Sequence, residues 1–301
     1  MTGRGDAPDR GASTSLNALL RAGARRLEGI EGASPAGDAR ELAEWAFGAE
    51  SVWSIREPLD PSAVLRFEEG VARREQREPL QWITSRMHFA GLALKARPGV
   101  FLVRPETEIL VEEAIRRCRA IAAERGGVNA VDLCAGSGAI GIAIARHVPG
   151  ARVWAVEIDQ TARGLAAENI AALVPGRVAL VPGDATDPGT LAELDGAIDI
   201  VVSNPPYVPP SEAPTQPEAL RDPDLALFGG GADGMQIPTG ILARALRLLK
   251  AGGCALVEHS ESQGEAMRRT ALGLGFSAAR TMPDLTGRDR CLIAERGRMT
   301  R

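Results

Sequence analysis

The chain has 301 residues, 45% of them apolar and 25% charged, which is an ordinary globular composition with room for two domains. A net charge of −4 and a pI of 5.6 argue against a protein held on nucleic acid by its own surface. No apolar run approaches the roughly 20 residues that a membrane span needs. The four cysteines (Cys118, Cys134, Cys254 and Cys291) lie far apart with no paired spacing, and the three histidines are scattered. Neither a disulfide framework nor a metal site is expected, and the cytoplasm is the simplest compartment.

The opening stretch, residues 1 to 15, is rich in Gly, Asp, Arg and Ser and reads as a disordered tail. Residues 16 to 78 read as helical. Ser15 can cap a first helix through "LNALLRAGARRLEGI", with Leu16, Leu19, Leu20, Leu27 and Ile30 near one face. "EGASPAG" breaks it, and Asp38 stands where an N-cap belongs for "ARELAEWAFGAE", with Glu41 completing a capping box. A third helix follows Asp60, with Pro61 in its first turn. The bundle carries no catalytic cluster and suits a binding or positioning role.

From Pro79 the pattern changes. "MHFAGLALKARPGVFLV" predicts a hairpin linker over 79–103, with Gly91 and Pro98-Gly99 as turn signals. An amphipathic helix, "TEILVEEAIRRCRAIAAERGG", opens the remainder, 104–301. Strands "AVDLCA", "ARVWAVEID", "RVALVPGD", "IDIVVSN" and "GCALVEHS" then alternate with helical or looped stretches, which predicts βαβ units and a parallel sheet covered on both faces. The closing "FSAARTMPDLTGRDRCLIAE" reads as two antiparallel strands.

"VDLCAGSGAIGIAIA" follows the first of those strands and opens a helix, and Gly136 and Gly138 let the backbone approach a ligand closely. The next strand ends in Glu157, a carboxylate able to accept hydrogen bonds from both hydroxyls of a ribose. Together they point to a nucleoside-containing ligand. The "D-L-x-x-G-x-G" form resembles motif one of class I S-adenosylmethionine-dependent methyltransferases, in which the second strand's acid holds the ribose and the third strand's acid, here Asp184, borders adenine. That resemblance implies a seven-stranded Rossmann-like sheet ending in an antiparallel pair. It also implies a cofactor site built from Cys134, Ala135, Gly136, Ser137, Gly138, Glu157, Asp184, Ala185 and Asn204.

"SNPPY", residues 203 to 207, ends the fourth strand and contains the chain's only tyrosine. It resembles the motif of methyltransferases that act on planar nitrogens: adenine, cytosine or a glutamine amide. Such a nitrogen is a poor nucleophile because its lone pair is delocalised. Two acceptors on its N–H hydrogens, the Asn204 side-chain carbonyl and the Pro205 backbone carbonyl, would aim the lone pair at the methyl donor. Pro205 and Pro206 stiffen that backbone, and the Tyr207 ring can cover the planar group. On this reading Asn204, Pro205 and Tyr207 are catalytic.

Nearly the whole chain is similar to the bacterial peptide chain release factor glutamine methyltransferases. The resemblance runs through the helical N-terminal segment, the hairpin, "RPETE" at Arg104 to Glu108, motif one, "SNPPY", "GGGADGM", "LVEH" and "DLTGRDR". It implies S-adenosylmethionine as methyl donor and, as substrate, the Gly-Gly-Gln glutamine of class 1 release factors. Asn204, Pro205, Pro206, Tyr207 and Thr107 would then lie at the substrate. Val103 replaces the proline usual before "RPET", Cys134 replaces a glycine, and Ala185 stands where some members have an aromatic. Arg104 and Glu106 can pair with each other, and His259 ends a strand near the site. The rivals are a glutamine methyltransferase of a ribosomal protein, which "RPETE" counts against, and a DNA adenine methyltransferase, which would need a basic groove and a recognition insertion. No direct nucleic-acid or membrane partner is expected.

Overall fold

The computed structural model describes residues 15–298, so all but Ser15 of the tail read at residues 1 to 15 lies outside the described residues. The chain forms two compact units, the first ending at Ser85 and the second starting at Arg86.

The first unit is helical: Leu16–Arg26, Pro35–Phe47, Pro61–Glu75 and a short Leu80–Thr84. Leu19, Leu27, Leu42, Phe67, Val71 and Ile83 meet in one core. Ser15 and Asp60 cap their helices through their side chains, as their positions predict. The second helix departs from expectation. It starts at Pro35, with Ser34 as N-cap, so Asp38 lies inside the first turn and is not a cap. Pro35 suits that place because its missing N–H would have no helical acceptor there. Asp38 instead accepts from the Ser34 N–H at 3.3 Å and pairs with the buried Arg74 at 2.9 Å. The first helix stops at Arg26, short of Ile30.

The second unit begins with a hairpin of β1 (Arg86–Phe89) and β2 (Leu92–Lys95), turned at Ala90 and Gly91, both at positive φ. The hairpin is tied to the rest of the unit at three points. Glu108 accepts the Ala90 N–H at 2.8 Å, His147 Nε2 lies 3.0 Å from the Ala90 carbonyl, and the Asn169 side chain brackets the Lys95 backbone.

The remaining strands are β3 (Val128–Leu133), β4 (Ala151–Glu157), β5 (Val178–Pro182), β6 (Ile198–Ser203), β7 (Leu249–Glu258), β8 (Ala278–Pro283) and β9 (Asp289–Glu295). They form the expected seven-stranded sheet in the order β5-β4-β3-β6-β7-β9-β8, parallel from β5 to β7, with β9 antiparallel to both β7 and β8. Val131, Leu133, Val156, Val201 and Val257 pack with Ile241, Leu242, Met267 and Ala271 of the helices Gln236–Leu248 and Gly264–Leu274. The helices Thr107–Arg125, Ala139–His147 and Gln160–Leu173 pack side by side on the other face. The connections after β3 and β6 run to opposite sides, which opens a crevice at the adjacent carboxyl ends of these two strands.

Candidate active site

At those strand ends lies a cavity of about 320 Å³. Cys134, Gly136, Glu157, Asp184, Ala185, Asn204 and Pro206 line it, so residues from the ends of β3, β4, β5 and β6 meet in one place. A wider groove of about 500 Å³ at the β5 edge, between Trp154 and Thr190, contains none of them.

The turn after β3 explains its glycines. Gly136 and Gly138 have φ of +55° and +83°, conformations that cost an L side chain energy. A Cβ on Gly136 would meet nothing within 4 Å, so the protein leaves that side of the turn open. Cys134 adopts φ +62°, the left-handed region that glycine occupies at lower cost. Ala135 and Ser137 are buried behind the cavity wall; the Ala135 N–H bonds to the Val156 carbonyl at 2.9 Å, and the Ser137 carbonyl accepts from Asn169 Nδ2 at 3.0 Å. Asn169 thereby joins this turn to the end of β2.

Glu157 is buried at the cavity wall. Its Oε2 accepts the Gly136 N–H at 2.7 Å and its Oε1 accepts the Asp159 N–H at 2.8 Å. Burial pushes its carboxyl above the usual range, and the two amides pull it back. Each oxygen accepts one protein hydrogen, so acceptor capacity remains toward the cavity. Asp184 is exposed at the rim, its carboxylate turned to the Thr186 N–H and hydroxyl at 2.8 and 2.7 Å. Behind the turn, Asp132 is fully buried, with Oδ2 accepting the Gly141 N–H at 2.8 Å; burial raises its carboxyl to about 7.

On the other side, Ser203 Oγ donates to the Leu133 carbonyl at 2.7 Å and pins the end of β6 to that of β3. Asn204 follows at the cavity wall, with Nδ2 donating to Thr107 Oγ1 at 3.2 Å. Pro205 is buried, and it, Tyr207 and Thr107 lie just outside the cavity lining. The Tyr207 hydroxyl donates to Glu258 Oε1 at 3.1 Å, and Gln263 Nε2 holds the Tyr207 carbonyl at 2.8 Å. The "GGGADGM" loop closes on that backbone: at Gly234, φ +70°, a Cβ would stand 2.3 Å from the Tyr207 carbonyl oxygen. No larger residue fits there without moving Tyr207.

Several side chains at the site carry no sequence signal that singles them out. Glu258 falls within "LVEH", a stretch that carries the resemblance but assigns this carboxylate no role, and only its partners reveal one. Val100, Phe101, Ile158, Gln236 and Ile237 also line the cavity. Ile158 offers a cue in retrospect, as a large apolar residue 51% exposed directly after Glu157. Arg104 pairs with the buried Asp222 rather than with Glu106. His259 is fully buried, with Nδ1 against the Ser260 carbonyl at 2.7 Å, so it is not at the cavity surface.

Comparison with known proteins identifies the family. Residues 18–84 match the family described as the PrmC N-terminal domain, and residues 93–219 match the methyltransferase small domain. The release factor glutamine methyltransferase of Bifidobacterium longum is 42% identical over 89% of this chain and 95% of its own length. That of Streptomyces coelicolor is 41% identical over 93% of this chain and 99% of its own. A 4-amino-L-phenylalanine/4-methylamino-L-phenylalanine methyltransferase of Streptomyces pristinaespiralis is 39% identical over 77% of each chain. Among solved structures, a methyltransferase from Pyrococcus furiosus superposes with a TM-score of 0.51 at 21% identity, over 69% of this chain and 90% of its own, a likeness of fold alone. With its seven-stranded class I methyltransferase sheet, its N-terminal helical unit and relatives matched nearly end to end, the chain belongs to the release factor glutamine methyltransferase family.

Proposed function

We propose that this enzyme uses S-adenosylmethionine to methylate the side-chain amide nitrogen of the glutamine in the Gly-Gly-Gln motif of class 1 release factors, in the cytoplasm. The observation that carries the proposal is the meeting of Glu157, the open glycine turn and Asn204 around one cavity. The residues fit that cofactor. Glu157 keeps acceptor capacity for a ribose diol, Gly136 leaves the turn open, and Ala185 with the apolar Ile158 and Phe101 offers a surface for a purine. When bound, S-adenosylmethionine supplies an electrophilic methyl group, and transfer breaks its S–C bond, forms an N–C bond and releases one proton from the amide nitrogen.

The chain's own residues do the positioning. Asn204 donates its NH₂ to Thr107, which leaves its carbonyl to accept one amide N–H, and the Pro205 carbonyl accepts the other. Accepting both hydrogens favours the nitrogen's loss of planarity and directs its lone pair along the line of attack. The Tyr207 ring and Pro206 cover the planar amide and keep water away. The helical unit, which holds no catalytic cluster, serves to recognise the body of the factor.

The test is incubation of the full chain with labelled S-adenosylmethionine and purified release factors, followed by mass mapping of the methyl group. Label on the Gly-Gly-Gln glutamine is expected, and none on a factor with alanine at that position. Label elsewhere on the factor, or on a ribosomal protein instead, overturns the substrate.

A further inference from the structure

We infer that Glu258 is a positioning residue that fixes which end of the Asn204 amide faces the cavity and holds the Tyr207 ring beside it. The inference rests on the reading of Asn204 and Tyr207 as the pair that holds the substrate amide.

Two hydroxyl side chains, Tyr207 and Thr107, converge on this carboxylate. Tyr207 donates its hydroxyl to Oε1 at 3.1 Å. Asn204 Nδ2 donates to Thr107 Oγ1 at 3.2 Å, and the Thr107 hydroxyl is close enough to Glu258 to favour its charge. Oε2 is buried and has no partner at full hydrogen-bonding geometry among the described residues. Glu258 and Thr107 are both 0% exposed, so water does not compete for these bonds.

The direction of the bonds follows from what each group can do. An ionised carboxylate only accepts, so the single proton of Thr107 turns toward Glu258. Thr107 then offers Asn204 nothing but lone pairs, and Asn204 must present its NH₂ to Thr107. The Asn204 carbonyl is left for the cavity, as an acceptor for an amide N–H. A protonated Glu258 reverses this logic. It can donate to Thr107, whose own proton is then free to turn to Asn204, and the amide can flip. A flipped Asn204 would oppose its NH₂ to the NH₂ of an incoming amide, donor against donor. The productive site therefore needs Glu258 charged.

The surroundings make that charge conditional on pH. Burial is the main influence on Glu258, followed by the Thr107 and Tyr207 hydroxyls, which favour the charge; Glu106 disfavours it and Arg290 favours it. Cys291, opposite Glu258 on β9, is buried with its thiol pushed up, and burial likewise disfavours the charged form of the neighbouring His259. The balance lifts Glu258 to about 7. Because the charged form is the active one, turnover should rise with pH through that region and level off above it.

The experiment compares the wild type with Glu258→Gln, which keeps the shape and removes the titration, and with Thr107→Val, which cuts the relay but leaves Glu258 in place. The kcat of the wild type should show an acid limb near neutrality. In Glu258→Gln kcat should fall at least about tenfold, with the acid limb lost and cofactor affinity by calorimetry changed less than about twofold. The second readout needs no substrate. In the free enzyme the Asn204 side-chain amide, followed by ¹⁵N NMR, should titrate with the same midpoint, and both variants should abolish that titration. Persistence of the acid limb in Glu258→Gln assigns it to another group, of which Asp132 is the first candidate, and overturns the inference. So does an Asn204 resonance that titrates unchanged in either variant. If the wild type methylates no release factor, the proposed function fails separately, and the amide titration still decides the role of Glu258.

Discussion

The two halves of the strand-end rim are built on different principles. On the β3–β5 side, where we place the cofactor, the polar work is done by backbone: Glu157 is held by the N–H groups of Gly136 and Asp159, and the turn's shape comes from positive φ angles. On the β6–β7 side, where we place the substrate, it is done by side chains in series, Asn204 to Thr107 to Glu258, with Tyr207 joining from the other direction. Backbone N–H groups only donate, so the bonds that hold Glu157 have one polarity and keep it. Hydroxyls and amide groups can reverse, so the second half needs something to choose for it. A buried carboxylate makes that choice, at some cost to stability, since among the described residues Oε2 has no partner at full hydrogen-bonding geometry.

Three substitutions probe this contrast. Asn204→Ala removes the acceptor that we propose meets the substrate and should lower kcat by at least about 10²-fold, as loss of one preorganised hydrogen-bonding group does. Its effect on kcat should exceed its effect on cofactor affinity, and single-turnover kinetics with calorimetry separate the two. A near wild-type rate would reduce the motif to a turn. Glu157→Ala strikes the other half and should weaken S-adenosylmethionine binding by about 1.5–3 kcal/mol. Here the two amides that Glu157 satisfies are freed as well, so melting in the absence of cofactor should also fall, which calorimetric scanning checks. Unchanged affinity would mean that β4 does not end at the ribose. Cys134→Gly should have the smallest effect. Glycine relieves the left-handed strain but loses packing and adds freedom to the unfolded chain, so stability should move by less than about 1 kcal/mol. If the thiol itself contacts the cofactor, affinity will change while stability does not.

Much of this rim can be read from the sequence because its signals are local. β-branched runs such as Ile198-Asp199-Ile200-Val201-Val202 announce buried strands, and the glycine turn and the acid ending the next strand follow in fixed succession. The role of Glu258 is illegible for the opposite reason, although "LVEH" contains it. Tyr207 is 51 positions away in sequence, and Thr107 is 97 positions from Asn204, so only the crossing of the chain between β6 and β7 assembles the group. Asp38 shows a third case. Its identity suits a cap, but a buried arginine on another helix draws it inside the first turn, and tertiary pairing overrides the local signal.

Tyr207 is the only tyrosine of the 301 residues, and it sits beside Asn204 with its hydroxyl on Glu258. Fluorotyrosine supplied during expression would therefore place fluorine at a single point of the molecule, next to the proposed chemistry. One resonance with no background from the rest of the chain would then report the arrival of cofactor, the arrival of a release factor and the charge of Glu258. The composition of this protein has left its candidate active site with a built-in address for labelling.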